Sequence, residues 1–149
     1  MPRFQSSREV PFTPQQMFDL VADVEAYPQF LPLCEDLHIR RKVKSAEGLD
    51  VLVADMAVGY KAIHEHFTTR VTLDPDQHQI LVAYLEGPFC HLDNRWQFLP
   101  SETGCKVQFY IEYEFRNRML GVLMGAMFDK AFRKFSEAFE ARAALIYKK

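Results

Sequence analysis

The sequence predicts an α+β fold: a curved, seven-stranded antiparallel sheet wrapped around one long C-terminal helix, with two short helices near the N-terminus. Three observations carry the prediction. Six strand-like runs follow one another from residue 37 to residue 115 with only short breaks between them. The last run alternates apolar and polar residues throughout, and from Asn117 a helical period persists to Tyr147. Short connections make sequential strands antiparallel neighbours.

Taken in order, "FQSSREV", ending at Val10, reads as an opening strand. Thr13 is a natural N-cap with Pro14 at the first helical position. Met17, Phe18, Leu20 and Val21 then recur at helical spacing, and the helix is expected to stop near Asp23. A second helical piece fits residues 25–30. "YPQFLP" predicts an extended exit, since each proline biases its predecessor away from helix.

The later strands are placed at residues 37–44, 49–58, 60–73, 79–86, 92–99 and 105–115. Their breaks are turn formers: "AEG" around Glu47, Gly59, "DPDQ" from Asp74, "EGP" from Glu86, and "PSETG" from Pro100. In the last strand Cys105, Val107, Phe109, Ile111, Tyr113 and Phe115 share one face, which predicts one buried and one wet side. Strand 60–73 is less clean, because the face carrying Ile63, Phe67, Val71 and Leu73 also carries Lys61, Glu65 and Thr69. Polar groups on an inward face need partners or water.

The final helix spans roughly 45 Å at 1.5 Å per residue. Its core stripe is expected at Leu120, Met124, Phe128, Ala131, Phe135, Ala138 and Leu145. A curved sheet crossed by one helix tends to enclose a cavity, and such cavities take small apolar ligands.

The 149 residues fit one domain, 1–149, large enough to bury about 70% of the surface its unfolded chain exposes. Cys34, Cys90 and Cys105 are odd in number and lack C-x-x-C spacing, which predicts a reducing compartment and small core residues rather than disulfides or zinc. "MPRFQSSREV" lacks the apolar core of a signal peptide, and no apolar run reaches the roughly 18 residues of a spanning helix. A cytoplasmic protein, at most peripheral to the membrane, is expected. The net charge of −2 hides an asymmetry: from Arg116 onward eight Lys/Arg face three Asp/Glu, on an otherwise acidic chain. A basic stripe of this kind can face lipid or RNA phosphates.

"RMLGVLMGAMFDKAF", from Arg118 to Phe132, has more apolar residues than one buried stripe needs. Some must line a cavity or face outward. Its methionines suit a flexible apolar ligand, and Gly121 with Gly125 would let sheet or ligand approach the helix backbone.

"PFTPQQMFDLVADVEAYPQFLPLC" and "YEFRNRMLGVLMGAMFDKAF" resemble the coenzyme Q-binding family of START-like domains, which includes the RatA-type bacterial proteins. The resemblance runs over almost the whole chain. It implies a helix-grip fold with a lipid-sized tunnel. It also implies ubiquinone as the bound ligand in the respiratory branch, and association with the large ribosomal subunit in the RatA branch.

On that basis Phe67, Trp96, Phe109 and Tyr113 from the sheet, with Leu120, Met124 and Phe128 from the helix, are the expected ligand-binding residues. Trp96 and Tyr113 would donate hydrogen bonds to a quinone head, and the wall would take the prenyl tail. Arg116, Arg118, Arg133 and Lys134 are the expected contacts to anionic head groups, with Leu123 or Met127 dipping between them, which places the protein peripherally at the inner face of the membrane.

His64 and His66, with Asp55 as a third candidate, have metal-like spacing but sit on a wet strand face, so no metal is expected. No Ser–His or Cys–His pair, H-E-x-x-H helix, G-x-S-x-G or Gly-rich phosphate loop is present, so neither catalysis nor a catalytic cofactor is expected. Two other readings stay open. One is a ribosome-associating inhibitor using the basic helix and "IRRKVK" (Ile39 to Lys44). The other is a cyclase-like enzyme with inward Glu65 as its acid or base, unless Lys61, Arg95 or a backbone amide pairs with it. No DNA partner is expected.

Overall fold

The computed structural model describes residues 3–60 and 62–147. Along the chain come β1 (Arg3–Val10), α1 (Pro14–Ala22), a 3₁₀ helix (Val24–Gln29), β2 (Cys34–Lys44), β3 (Asp50–Tyr60) and β4 (Ile63–Asp74). Then follow β5 (Gln79–Glu86), β6 (Phe89–Pro100), β7 (Cys105–Phe115) and α2 (Arg118–Ile146). The strands form one antiparallel sheet in the order β1-β7-β6-β5-β4-β3-β2. The meander from β2 to β7 is what short turns require, and β1 closes the far edge against β7. The predicted α+β layout, a curved sheet gripping a long helix, is the observed one.

The α1 terminus forms as its sequence dictates. Thr13 Oγ1 accepts from the Gln16 amide at 3.0 Å and Gln16 Oε1 accepts from the Thr13 amide at 2.9 Å, a reciprocal cap worth about 1 kcal/mol. The second helical piece is 3₁₀ rather than α, with Pro28 inside it. The exit from it is a turn, not the predicted extended segment. The Tyr27 carbonyl collects the Phe30 and Leu31 amides at 3.1 and 2.8 Å, and Leu33 takes φ 68°. The proline rule constrains only the residue before each proline, and these local hydrogen bonds decide the rest.

The bounds of β5 and β7 match the sequence reading, and the others shift at their ends. The break expected at Gly59 moves: Gly59 stays inside β3, and the turn falls between Tyr60 and Ile63. Lys61, placed in that strand by the sequence, lies outside the described residues. A Cβ added at 59 would meet only the carboxylate end of Glu35, 2.3 Å from Oε2, an exposed side chain able to swing aside.

The concave face carries the core, with Val71, Ile80, Trp96, Phe98 and Phe109 buried beneath α2. On α2 the buried residues are Met124, Phe128, Ala131, Phe132, Phe139 and Ala143. Leu145 is not among them and is 58% exposed. A stripe drawn in seven-residue steps (Met124, Ala131, Ala138, Leu145) drifts about 20° per step on a 3.6-residue helix, so it leaves the core face. The Cys34 and Cys105 side chains are buried, but Cys90 is exposed, with Sγ 3.2 Å from Glu114 Oε2. Its neighbours Phe89 and Leu92 point inward, and strand alternation with a register shift between Phe89 and His91 turns it to solvent.

Gly87 joins β5 to β6 at φ 145°, where an added Cβ would sit 2.5 Å from the Phe67 Cβ. Gly87→Ala is therefore expected to destabilise by about 1–3 kcal/mol, through strained backbone and a displaced Phe67. Urea unfolding checks this, and a loss below about 0.5 kcal/mol would show that the turn relaxes freely.

Candidate functional site

Between the sheet and α2 lies a cavity of about 120 Å³. It is bounded by inward residues of β2 to β7, by the connection from the 3₁₀ helix to β2, and by the middle of α2. Strand alternation delivers Ala54, Met56 and Val58 from β3, Phe67, Thr69 and Val71 from β4, and Trp96 and Phe109 from β6 and β7. Helix α2 adds Phe128, Ala131, Phe132, Phe135 and Phe139, all on one face of its 3.6-residue period. Pro32 and Leu33, only half-buried, carry the lining to the surface.

Four of the seven expected ligand residues meet here: Phe67, Trp96, Phe109 and Phe128. Trp96 stands at the centre, 4.6 Å from Phe109 and 5.1 Å from Phe139 between ring centroids. The other three do not line the cavity. Tyr113 is buried against Phe128 and Phe132 at 5.9 and 5.5 Å, in an aromatic cluster beyond the cavity end. Met124 is 1% exposed and packs in the core, and Leu120 is half-buried against it. One more turn of helix separates these side chains from the cavity than alternation on the sheet alone could reveal. The expected role of the two glycines also fails: a Cβ at Gly121 would make ordinary contact with Phe115 at 3.7 Å, and at Gly125 it would meet nothing.

Polar groups are few in the lining. Tyr27 donates its hydroxyl to the Val21 carbonyl at 2.5 Å, and Cys34 its thiol to the Asp36 carbonyl at 3.8 Å. Burial pushes the Cys34 thiol up to about 12, with the nearby Asp36 charge adding to it, so it stays protonated and unreactive. The Asn94 amide donates to the Tyr110 carbonyl at 2.8 Å. Thr69, missed as a site residue by the sequence reading, is buried with its side chain in the lining. Its presence among Phe67 and Val71 was the available signal.

Glu65 is half-buried on β4, but Arg95 is committed to Asp93 at 2.7 Å and does not pair with it. His64 and His66 are exposed, as expected for the outer face; His64 Nδ1 lies 3.0 Å from Glu35 Oε1, and Asp55 binds Arg40 and Thr68 instead. Among the described residues no three His, Cys, Asp or Glu groups cluster as metal ligands.

The start of α2 presents Met119, Val122 and Leu123 to solvent at 70%, 75% and 56% exposure. Of the four expected phosphate contacts, Arg118 and Lys134 are exposed, whereas Arg116 donates to the Phe89 carbonyl at 3.0 Å and Arg133 pairs with Asp129 at 3.0 Å. Lys130, overlooked in the sequence, shares the exposed side of α2 with Lys134. No helix among the described residues is long and apolar enough to cross a membrane.

A seven-stranded sheet over a long helix, with an apolar cavity between them, is an arrangement that can be compared with known proteins. The family described as polyketide cyclase / dehydrase and lipid transport matches residues 10–140. The chain belongs to this family. Ribosome association toxin RatA of Escherichia coli K12 is 34% identical over 99% of this chain and 90% of its own length. A coenzyme Q-binding protein, COQ10 homolog B of Xenopus laevis, is 31% identical over 97% of this chain and 59% of its own length. Among solved structures, an 18 kDa protein of Caulobacter crescentus is 36% identical with TM-score 0.81 over the whole of both chains. The Zhui aromatase/cyclase from Streptomyces sp. R1128, 17% identical with TM-score 0.76 over 95% of this chain and 93% of that one, shares the fold alone. Relatives of this chain are thus named as a toxin and as a quinone binder, and fold does not choose between them.

Proposed function

We propose that the protein is a non-enzymatic binder that holds ubiquinone or a similar prenyl lipid in the cavity between sheet and helix. The observation that carries this is the cavity itself: a space between sheet and helix lined almost wholly by apolar and aromatic side chains. A ring-sized head group is in scale with 120 Å³, whereas whole ligands usually need about 300–1,000 Å³. The tail therefore leaves past Pro32 and Leu33, or parts that connection from α2. The protein works at the inner, cytoplasmic face of a membrane, which Met119, Val122 and Leu123 enter while Lys130, Lys134 and Arg118 meet anionic head groups. A relative named for coenzyme Q binding supports the reading.

Mass spectrometry of an organic extract from protein purified without detergent tests it. Prenylquinone near one per chain is expected, and an empty extract from repeated preparations would count against it. Ala131→Leu places a larger side chain in the cavity from α2 and is expected to remove the ligand while Tm stays within about 4 °C. Undiminished ligand in that variant would place the lipid elsewhere.

A second reading rests on the relatives named for ribosome association. For it the β2 edge supplies exposed Arg41 and Lys42, whereas Arg40 and Lys44 are held by Asp55 and Asp50 at 2.9 and 2.7 Å. Arg41→Glu with Lys42→Glu would then abolish sedimentation with large ribosomal subunits in low salt. Sedimentation that is absent in the parent protein, or unchanged in the variant, removes this reading.

A further inference from the structure

The few polar atoms of the cavity differ in what they can accept or give. Tyr27 and Cys34 have already committed their protons to the Val21 and Asp36 carbonyls. Asn94 is fixed by its bond to the Tyr110 carbonyl, which can only accept, so the atom at 2.8 Å is the amide nitrogen. Its Oδ1 is consequently the other arm of the fork. Among the described residues nothing donates to it.

Thr69 and Trp96 complete the set. The Thr69 hydroxyl can give or accept a proton, and Trp96 Nε1 can only give; neither has a hydrogen-bond partner among the described residues. In the sheet, Asn94 stands opposite Val82 and Thr69 opposite Tyr84, two residues along β5 and on its other side. Strand spacing and rise put their backbones roughly 12 Å apart. That is the span of an aromatic ring with one oxygen at each end, hydrogen-bonded at both.

We infer that the cavity selects the reduced, hydroquinone form of its ligand over the oxidised quinone, with Asn94 as the specificity-determining residue; this rests on the quinone reading proposed above. A quinone has two carbonyl oxygens and can only accept. It can be served by Thr69, Trp96 or the second N–H of the Asn94 amide, but it dries Asn94 Oδ1 without a donor. A hydroquinone offers an O–H to Oδ1 at one end and shares a hydrogen bond with the Thr69 hydroxyl at the other. An acceptor buried unsatisfied in one complex and satisfied in the other discriminates by about 10- to 100-fold. The same logic admits other phenolic heads with an apolar tail and disfavours dicarbonyls.

The fluorescence of Trp96, the one tryptophan of the chain, reports occupancy directly. The protein is titrated with decylubiquinone and, under anaerobic conditions, with decylubiquinol. The reduced form is expected to bind at least tenfold tighter. In Asn94→Leu, which keeps the branching and the number of side-chain heavy atoms, that preference should vanish through weaker binding of decylubiquinol, with decylubiquinone affected less. Thr69→Val should weaken both forms alike, because its hydroxyl serves either. Thermal melts of each variant establish that it is folded before it is titrated, and Asn94→Ser replaces Asn94→Leu if the latter does not fold. Equal affinity of the parent protein for both forms, or a preference that survives in the folded Asn94 variant, overturns the inference and leaves the quinone reading standing. Quenching by neither form overturns both.

Discussion

Phe89→Ala is expected to lower the free energy of unfolding by about 3–5 kcal/mol, the cost of deleting a large buried ring and leaving a void. Phe89 is 1% exposed and stacks on Phe115 at 4.7 Å between centroids, with Phe67 and Tyr84 edge-on at 5.4 and 5.6 Å. Its backbone is held as well: its amide donates to Tyr84 Oη at 3.1 Å, and its carbonyl accepts from Arg116 Nε at 3.0 Å. The residue thus ties β4, β5, β6, β7 and the approach to α2 into one cluster. Since a domain is stable by only about 5–15 kcal/mol, the variant gives up a large fraction of its stability. Leu99→Ala on β6, 36% exposed, should cost under about 1 kcal/mol when both variants are unfolded in guanidinium. Similar losses for both would show that the cluster is not the stabilising centre.

The triple variant Met119→Ser, Val122→Ser, Leu123→Ser should lose membrane attachment by about 100-fold or more. Each side chain is worth about 1.5–3 kcal/mol when fully removed from water, and partial immersion of three still sums to roughly 3 kcal/mol. Because all three are largely exposed, folding should be untouched. Cosedimentation with vesicles of mixed neutral and anionic lipid measures the loss. Lys130→Glu with Lys134→Glu should instead weaken binding only to anionic vesicles, and only in low salt, as screening over about 10 Å at 0.1 M dictates. Full binding of the triple variant would assign its apolar tip to something other than lipid.

The most legible parts of the chain were those whose structure is written in near neighbours. The alternation from Cys105 to Phe115 places its odd-numbered residues inward, and Thr13 with Gln16 closes its own helix cap. The long helix announced itself by period, and its N-cap Asn117 receives the Met119 and Leu120 amides as such a residue should. The cavity was legible in kind: four of seven named residues line it, Phe67, Trp96 and Phe109 because a face of a strand is a matter of parity and Phe128 by the period of its helix.

What the sequence by itself determined is the α+β class, the strand count, the buried faces and the presence of an apolar space under the last helix. These follow from short-range periodicity and turn chemistry, which each segment carries alone. The tertiary structure decided where along α2 that space ends, leaving Met124 and Tyr113 in solid core while Ala131 and Phe135 line the void. It also decided that Gly59 lies inside β3 instead of marking a turn, and that Asn94 turns its amide nitrogen to β7 and its oxygen away. Each of these depends on the axial position or rotation of one element against another distant in the chain. Such offsets are set by packing of whole surfaces, and no local period encodes them.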